Sequence, residues 1–594
     1  MTTKPNDFAL CDKPTSGGVN VARFKPAVAA SIVICALMLS GCPGPQSSQV
    51  VPSDAKATCT VAASDFASWF ESGSVTLNGA VTPANSVTFP NQPNCSFYEW
   101  SERMFLWVTS PAPPSYGGGT HVFDSPVFYD VSPLDANGDR TLIPHTAGGL
   151  RGFGLRAAQV GPDRLPVLFD RSGRFLEVQP PRLSKDGKLL MLSSTNDTVE
   201  VERITMGDNK KPMFFDKNNK EIRGARPIGQ VESKRVVIVQ KFMIDKIPIF
   251  LDLFGNVVDV EEGQADGGVL AAQNGSLIYY ATMVNDVFAY FLTGVKNGGI
   301  VPAATQFPTT QADLNKITAF ASGHGKTFTD DTALVIELKT SWVEASAVSD
   351  PGSYITMQGT IPTYDKTDPN HWVQNGQQTV KLALVGIHVV GSTAGHPEMI
   401  WSTFEHVDNT PNATFAYINT SNQTVTVNQN TAGTWLFCAN GSAGPFNEVH
   451  MQNPFGTTDI MSVAPFTISP SNTIRWKVWG GASDASPNPL DASTAASNTE
   501  IISMNNSVRG MLASGDIRSN YIFVGATWTI GGASPGGSFP NGNEVGTSKL
   551  ANTTMETYQQ GSNTLLSTGS NCFSCHPTNT TNVSHIFGPL KPLF

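Results

Sequence analysis

Pro166-Val-Leu-Phe-Asp170-Arg-Ser-Gly173, Pro212-Met-Phe-Phe-Asp216-Lys-Asn-Asn219 and Pro248-Ile-Phe-Leu-Asp252-Leu-Phe-Gly255 repeat one short unit. Each is an apolar strand end, then an Asp able to hydrogen-bond its own turn, then a Gly or Asn suited to left-handed backbone. The unit therefore reads as a β-hairpin. Three unequally spaced copies do not make a propeller. Turn chemistry accounts for these Asp residues without a cation. Further along, residues 334–345, 354–363, 380–391, 399–406, 434–439, 474–480 and 521–528 have strand length and composition. Helical spacing or composition marks 61–71, 97–108, 276–293, 312–321, 494–514 and 548–559. The fold class expected is mainly β with several helices (α+β), an antiparallel β sandwich or barrel-like body ending in a C-terminal segment with its own chemistry.

Composition agrees. Gly (54) and Pro (40) punctuate the 594 residues, while only 14% are charged, the profile of an extracytoplasmic β protein. A formal charge of −10 with no Lys/Arg cluster excludes a nucleic-acid partner. The expected organisation is a leader at 1–41, a tether at 42–56, a mixed helical region at 57–160, a hairpin-rich β region at 161–300, a second β-rich region at 301–540 and a C-terminal segment at 541–594.

The leader has Arg23 and Lys25 before an apolar run from 27 to 39, closed by Leu39-Ser40-Gly41-Cys42. The run is short for a membrane-spanning helix. It resembles a bacterial lipoprotein signal, which implies cleavage before Cys42 and a lipid anchor on its thiol. Removal of residues 1–41 takes away four basic and two acidic side chains, so −10 becomes −12. The absence of Asp after Cys42 implies, by the same resemblance, an outer-membrane lipoprotein of a Gram-negative bacterium facing the periplasm or cell surface.

Of the eight Cys, Cys11 and Cys35 lie in the leader and Cys42 takes lipid. Cys59, Cys95 and Cys438 form an odd set; Cys59 and Cys95 are expected to pair, leaving Cys438 buried beside Trp435 and Phe437. Cys572-Phe-Ser-Cys575-His576 has two thiols at the spacing needed to add to two vinyl groups, followed at once by an iron ligand. With eight Cys and ten His, chance placement would produce it with a probability on the order of 0.002. A thioredoxin-like dithiol would need a strand-to-helix context in an αβ pattern, and a zinc site two more spaced ligands.

The pentapeptide resembles the attachment site of c-type cytochromes. The resemblance implies one covalent haem c, with Cys572 and Cys575 as thioether links and His576 as the proximal iron ligand. It covers five residues only. Small cytochromes c begin with the motif, whereas here eighteen residues follow His576, so the body is expected to build the pocket. Ser584-His585-Ile-Phe-Gly-Pro-Leu590 is similar to the tail of large, uncharacterised single-haem lipoproteins. The distal position is open between His585, Met555, Met399, His396, His406 and water.

A second polar concentration runs from His388 through His396, Glu398, Glu405 and His406 to Asp408. Strand alternation sets Glu398, Ile400, Ser402 and Phe404 on one face and Met399, Trp401, Thr403 and Glu405 on the other, so the acids should diverge. Trp100 and Trp107 are aromatic candidates to flank haem, and Asp135-Ala-Asn137-Gly-Asp139 is a calcium candidate lacking the distal Glu. The function expected is electron transfer with a redox partner protein. The alternatives are a haem peroxidase or oxygenase with an open distal site and a small-molecule substrate, or a surface binding module carrying haem.

Overall fold

The computed structural model describes residues 50–90, 94–132, 139–149, 167–170, 175–179, 181–207, 211–229, 237–244, 247–258, 260–261, 268–452, 459–463, 465–480, 492–535, 543–547, 549–560, 572–576 and 578–594. Cys42, its leader, Asp135 and Asn137 lie outside them. Among the described residues no helix is long and apolar enough to cross a membrane. The described residues fall in one compact unit.

The principal sheet is antiparallel: β1 (Phe128–Val131), β2 (Leu142–Pro144), β3 (Tyr279–Asn285), β4 (Ile336–Glu344), β5 (Thr356–Asp368), β6 (His371–Thr393), β7 (His396–His406), β8 (Tyr521–Thr529) and β9 (Glu544–Gly546). Its order is β2-β1-β3-β4-β6-β7-β8-β9, with β5 alongside β6. The mainly β expectation holds. The sheet ends at β2 and β9 without closing, so it is not a barrel. β3 comes from the stretch assigned to the hairpin region, so strands on both sides of residue 300 share this sheet.

Period-2 alternation sorts its side chains between two cores. Ile387, Val389, Ile400 and Phe404 join α1 (Asn94–Val108) and α4 (Ala492–Met511) in the larger core. Val390, Met399 and Trp401 face the other way, against α2 (Asp286–Lys296), α3 (Gln311–Gly323) and the C-terminal residues Phe573, Val583, Ile586, Phe587 and Leu590. Where β8 bulges, Gly525 takes φ +150°; a Cβ there would meet Thr547 Oγ1 at 2.3 Å.

The hairpin reading holds where the turns are described. Asp216 Oδ1 accepts from Asn218 and Lys220 N–H, both at 2.9 Å, and Asn219 has φ 57°. Asp252 Oδ1 accepts from Phe254 and Asn256 N–H at 2.9 and 2.8 Å, with Gly255 at φ 83°. Strand Val167–Asp170 pairs with Phe175–Val178; the turn between them lies outside the described residues.

Five local expectations change. Residues 276–293 split into β3 and α2, because Asn285 ends the strand and caps the helix: its side chain accepts from Phe288 N–H at 3.0 Å. Residues 434–439 form a loop and 474–480 a loop ending in a 3-10 turn at Val478–Gly480 rather than strands, and the described part of 548–559 holds only a short 3-10 turn at Thr557–Gln559. Their backbone groups pair with distant loops and Asn side chains instead of a strand: Leu436 and Phe437 N–H donate to the Asp408 and Asn409 carbonyls, and Asn447 bonds the backbone of Ile474 in both directions. The expected tether is packed from Val50 onward: Val50 and Val51 are buried, and Asn412 and Asn506 donate to the Val50 and Pro52 carbonyls. Cys59 and Cys95 are disulfide-bonded, and Cys438 is a buried free thiol.

Candidate functional site

Cys572–Cys575 is one helical turn (α5), in which His576 N–H donates to the Cys572 carbonyl at 2.9 Å. That turn brings the two thiol-bearing positions and His576 to one place, as attachment chemistry needs. Phe573 anchors it, fully buried and edge-on to Trp401 at 6.4 Å. Burial, then Glu556, pushes the free Cys572 thiol up to about 12, the opposite of an activated redox thiolate.

The His576 ring is fixed from two sides. Its Nδ1 lies 2.6 Å from the Val583 carbonyl oxygen, which can only accept, so Nδ1 carries the proton and Nε2 keeps its lone pair. Trp401 packs against the ring at 4.0 Å, and His585 lies on it face to face, centroids 3.8 Å apart and planes within 11°. Burial, reinforced by His585, holds the His576 pKa well below its ordinary value, so the ring stays in the neutral, ligand form. These residues fit a haem c: two cysteines one turn apart, then a histidine whose second nitrogen is oriented by a backbone carbonyl.

The loop from Thr578 to Leu590 is pinned to the body. Thr581 N–H donates to the Thr305 carbonyl at 2.9 Å and Asn579 Nδ2 to the Gly532 carbonyl at 3.2 Å. Ser584 Oγ donates to Glu337 Oε2 at 2.6 Å, a carboxyl whose pKa burial raises. Phe587 meets Phe288, Phe291 and Phe307; Arg140 N–H donates to the Pro589 carbonyl and Lys591 N–H to the Arg140 carbonyl, on either side of Leu590.

His585 touches His576 but does not oppose it. Two ligands on opposite faces of one iron would each aim a ring nitrogen at the metal, whereas these rings meet by their faces. Of the other distal candidates, Met399 packs in the same cluster as Phe573 and Val583. His406 is stacked on Tyr354 at 3.5 Å, and His396 Nδ1 donates to Glu398 Oε1 at 2.8 Å. Met555 is fully buried. Trp100 and Trp107 belong to the larger core, hydrogen-bonded to Ser86 and Tyr116.

Trp401 is the aromatic that meets His576, and alternation along β7 had already put it on the face shared with Met399. Met399 itself has φ 66°, a rare value for a non-glycine residue, and Trp401 Nε1 donates back to the Glu398 carbonyl at 2.9 Å. The contact to Trp401 spans 175 residues of sequence, so no local signal announces it.

The His388–Asp408 concentration does not converge. His388 Nε2 pairs with Glu556 at 3.1 Å, His396 with Glu398, and Glu405 with the buried Arg475 at 2.7 Å. Among the described residues no three His, Cys, Asp or Glu side chains come together as a metal site. Asp139, from the calcium candidate, pairs with Lys591 at 3.0 Å. No protein family, curated protein or solved structure matches this chain.

Proposed function

We propose that this chain is a monohaem c-type cytochrome of electron transfer, lipid-anchored through Cys42 in the outer membrane and facing the periplasm or cell surface. The observation that carries the reading is the Nδ1–Val583 hydrogen bond. It fixes His576 as a neutral imidazole with Nε2 free, directly after the thiol-bearing turn. Bound haem c would supply one-electron redox chemistry at its iron.

The chain's own residues set the conditions. Cys572 and Cys575 would hold the group covalently and His576 would ligate the iron, while Trp401 and the Val583 carbonyl keep that ring from turning. Phe573, Val583, Ile586 and Phe587 exclude water from this side, and a dry, fixed ligand set lowers the reorganisation accompanying electron transfer. For His585 to act as the second ligand, its ring must leave the stack on His576.

Optical spectra of the purified protein, oxidised and reduced, with and without carbon monoxide, test the reading. A low-spin spectrum indifferent to carbon monoxide is the expected result, with His585 released from the stack to become the second ligand. Rapid carbon monoxide binding would overturn the closed electron carrier in favour of a haem enzyme with an open distal site.

A further inference from the structure

A cleft of about 400 Å³ opens between α1, β7, β8, β9 and α4, lined among others by Phe97, His396, Glu500, Trp528 and Val545. Its size lies near the lower end of small-molecule sites, roughly 300–1,000 Å³. One wall is a rigid aromatic stack: Phe97 lies parallel to Trp528 at 4.0 Å, and His396 meets Phe97 edge-on at 5.0 Å.

Among the polar side chains lining the cleft, His396 and Glu500 offer acceptors, Thr529 spends its hydroxyl proton on the Ala533 carbonyl, and Asn94 adds a neutral amide. His396 is 2% exposed; its Nδ1–H is committed to Glu398 Oε1, which also accepts from Thr529 N–H at 3.0 Å. Nε2 is therefore the nitrogen left for a ligand, and it has no hydrogen-bond partner among the described residues. Glu500, on α4, likewise has no hydrogen bond or ion pair from its carboxylate among the described residues; burial raises its pKa, and a bound cation is what would hold it ionised. No Lys or Arg is among the residues lining the cleft, and the whole chain carries −10.

We infer that this cleft binds a small organic ammonium ion, a protonated primary or secondary amine on an aromatic or compact apolar body. The N–H groups would donate to Glu500 and His396 Nε2, and the body would lie against Phe97 and Trp528. An anion meets a carboxylate with no balancing cation. A neutral alcohol offers one donor to two acceptors, and a bare metal ion finds aromatic faces where it needs oxygen ligands. The inference does not depend on the haem reading.

The test is calorimetric titration of the purified mature protein, disulfide intact, with phenethylammonium, phenethyl alcohol and phenylacetate. Phenethylammonium is expected to bind about tenfold or more tighter than the alcohol, with phenylacetate silent. Glu500→Gln, a near-isosteric change on a partly exposed helix position, is expected to remove about tenfold of the ammonium affinity while leaving the alcohol unchanged. Val545→Phe, which fills the cleft from another wall, is expected to abolish both. Equal binding of ammonium and alcohol, unchanged affinity in Glu500→Gln, or no heat from the ammonium at millimolar concentration would each overturn the proposal. Haem staining of the same samples scores the haem reading separately.

Discussion

Residues 576–585 and 388–408 both concentrate histidine, and the structure treats them in opposite ways. In the first stretch a backbone carbonyl takes one nitrogen of His576 and leaves the other free. In the second, His388 and His396 are each matched to a carboxylate, and His406 donates from Nε2 to the Ser353 carbonyl while stacking on Tyr354. A run of ligand-type residues along a strand points alternately to two cores, and each side chain must satisfy itself where it lands. A helical turn of five residues keeps its chemistry together. Local spacing, rather than local density, is the signal that carries chemistry here.

The comparison breaks first at the iron ligand. His576→Ala is expected to abolish the native low-spin spectrum while His388→Ala and His396→Ala retain it; equal spectral loss in all three would erase the distinction. Next comes the buried pair in the second stretch. Glu405→Gln removes the carboxylate that receives Arg475 and the Thr553 N–H, leaving a charge uncompensated inside the protein. Urea unfolding should show a loss of about 3–5 kcal/mol. Glu556→Gln, at the partly exposed His388 pair, should cost about 1 kcal/mol or less by the same measurement.

Two buried histidines sharpen the contrast through pH. Burial pushes His406 down to about 3. The unfolded chain then binds the proton more readily, so the His406 contribution is whole above about 6.5 and is lost as pH falls from there toward 3. His145 lies between Asp124 and Asp130, each at 3.1 Å. Burial opposes its charge, but those two hydrogen-bonded carboxylates overcome it and raise the pKa to about 9. Its contribution is whole below about 6.5 and is lost as pH rises through 9. Urea midpoints between pH 4 and 10 should decline on both sides of neutrality. His145→Gln should flatten the alkaline limb, and an unchanged limb would contradict the assignment.

The hairpins were readable because an Asp turn is decided within five residues, as at Asp216 and Asp252. The split of 276–293 was partly legible: Asn285 is a good cap, but the apolar run on either side hides the change of period. Loops such as 434–439 have strand composition and yet donate their N–H groups to distant loops, Phe437 to the Asn409 backbone carbonyl and Ala439 to Asn472 Oδ1, which no local pattern reveals. In the site, Cys572, Cys575 and His576 were legible from spacing. Trp401 and the Val583 carbonyl were not, because the partner of His576 depends on how the tail folds back on the body.

The most direct test of the central claim is intact mass spectrometry with haem staining after denaturing electrophoresis, on the chain matured in a host able to attach haem c. The wild type should carry the mass of one haem and stain, and Cys572→Ser/Cys575→Ser should lose both signals. A wild-type chain of bare polypeptide mass, or stain surviving in the double variant, would contradict it.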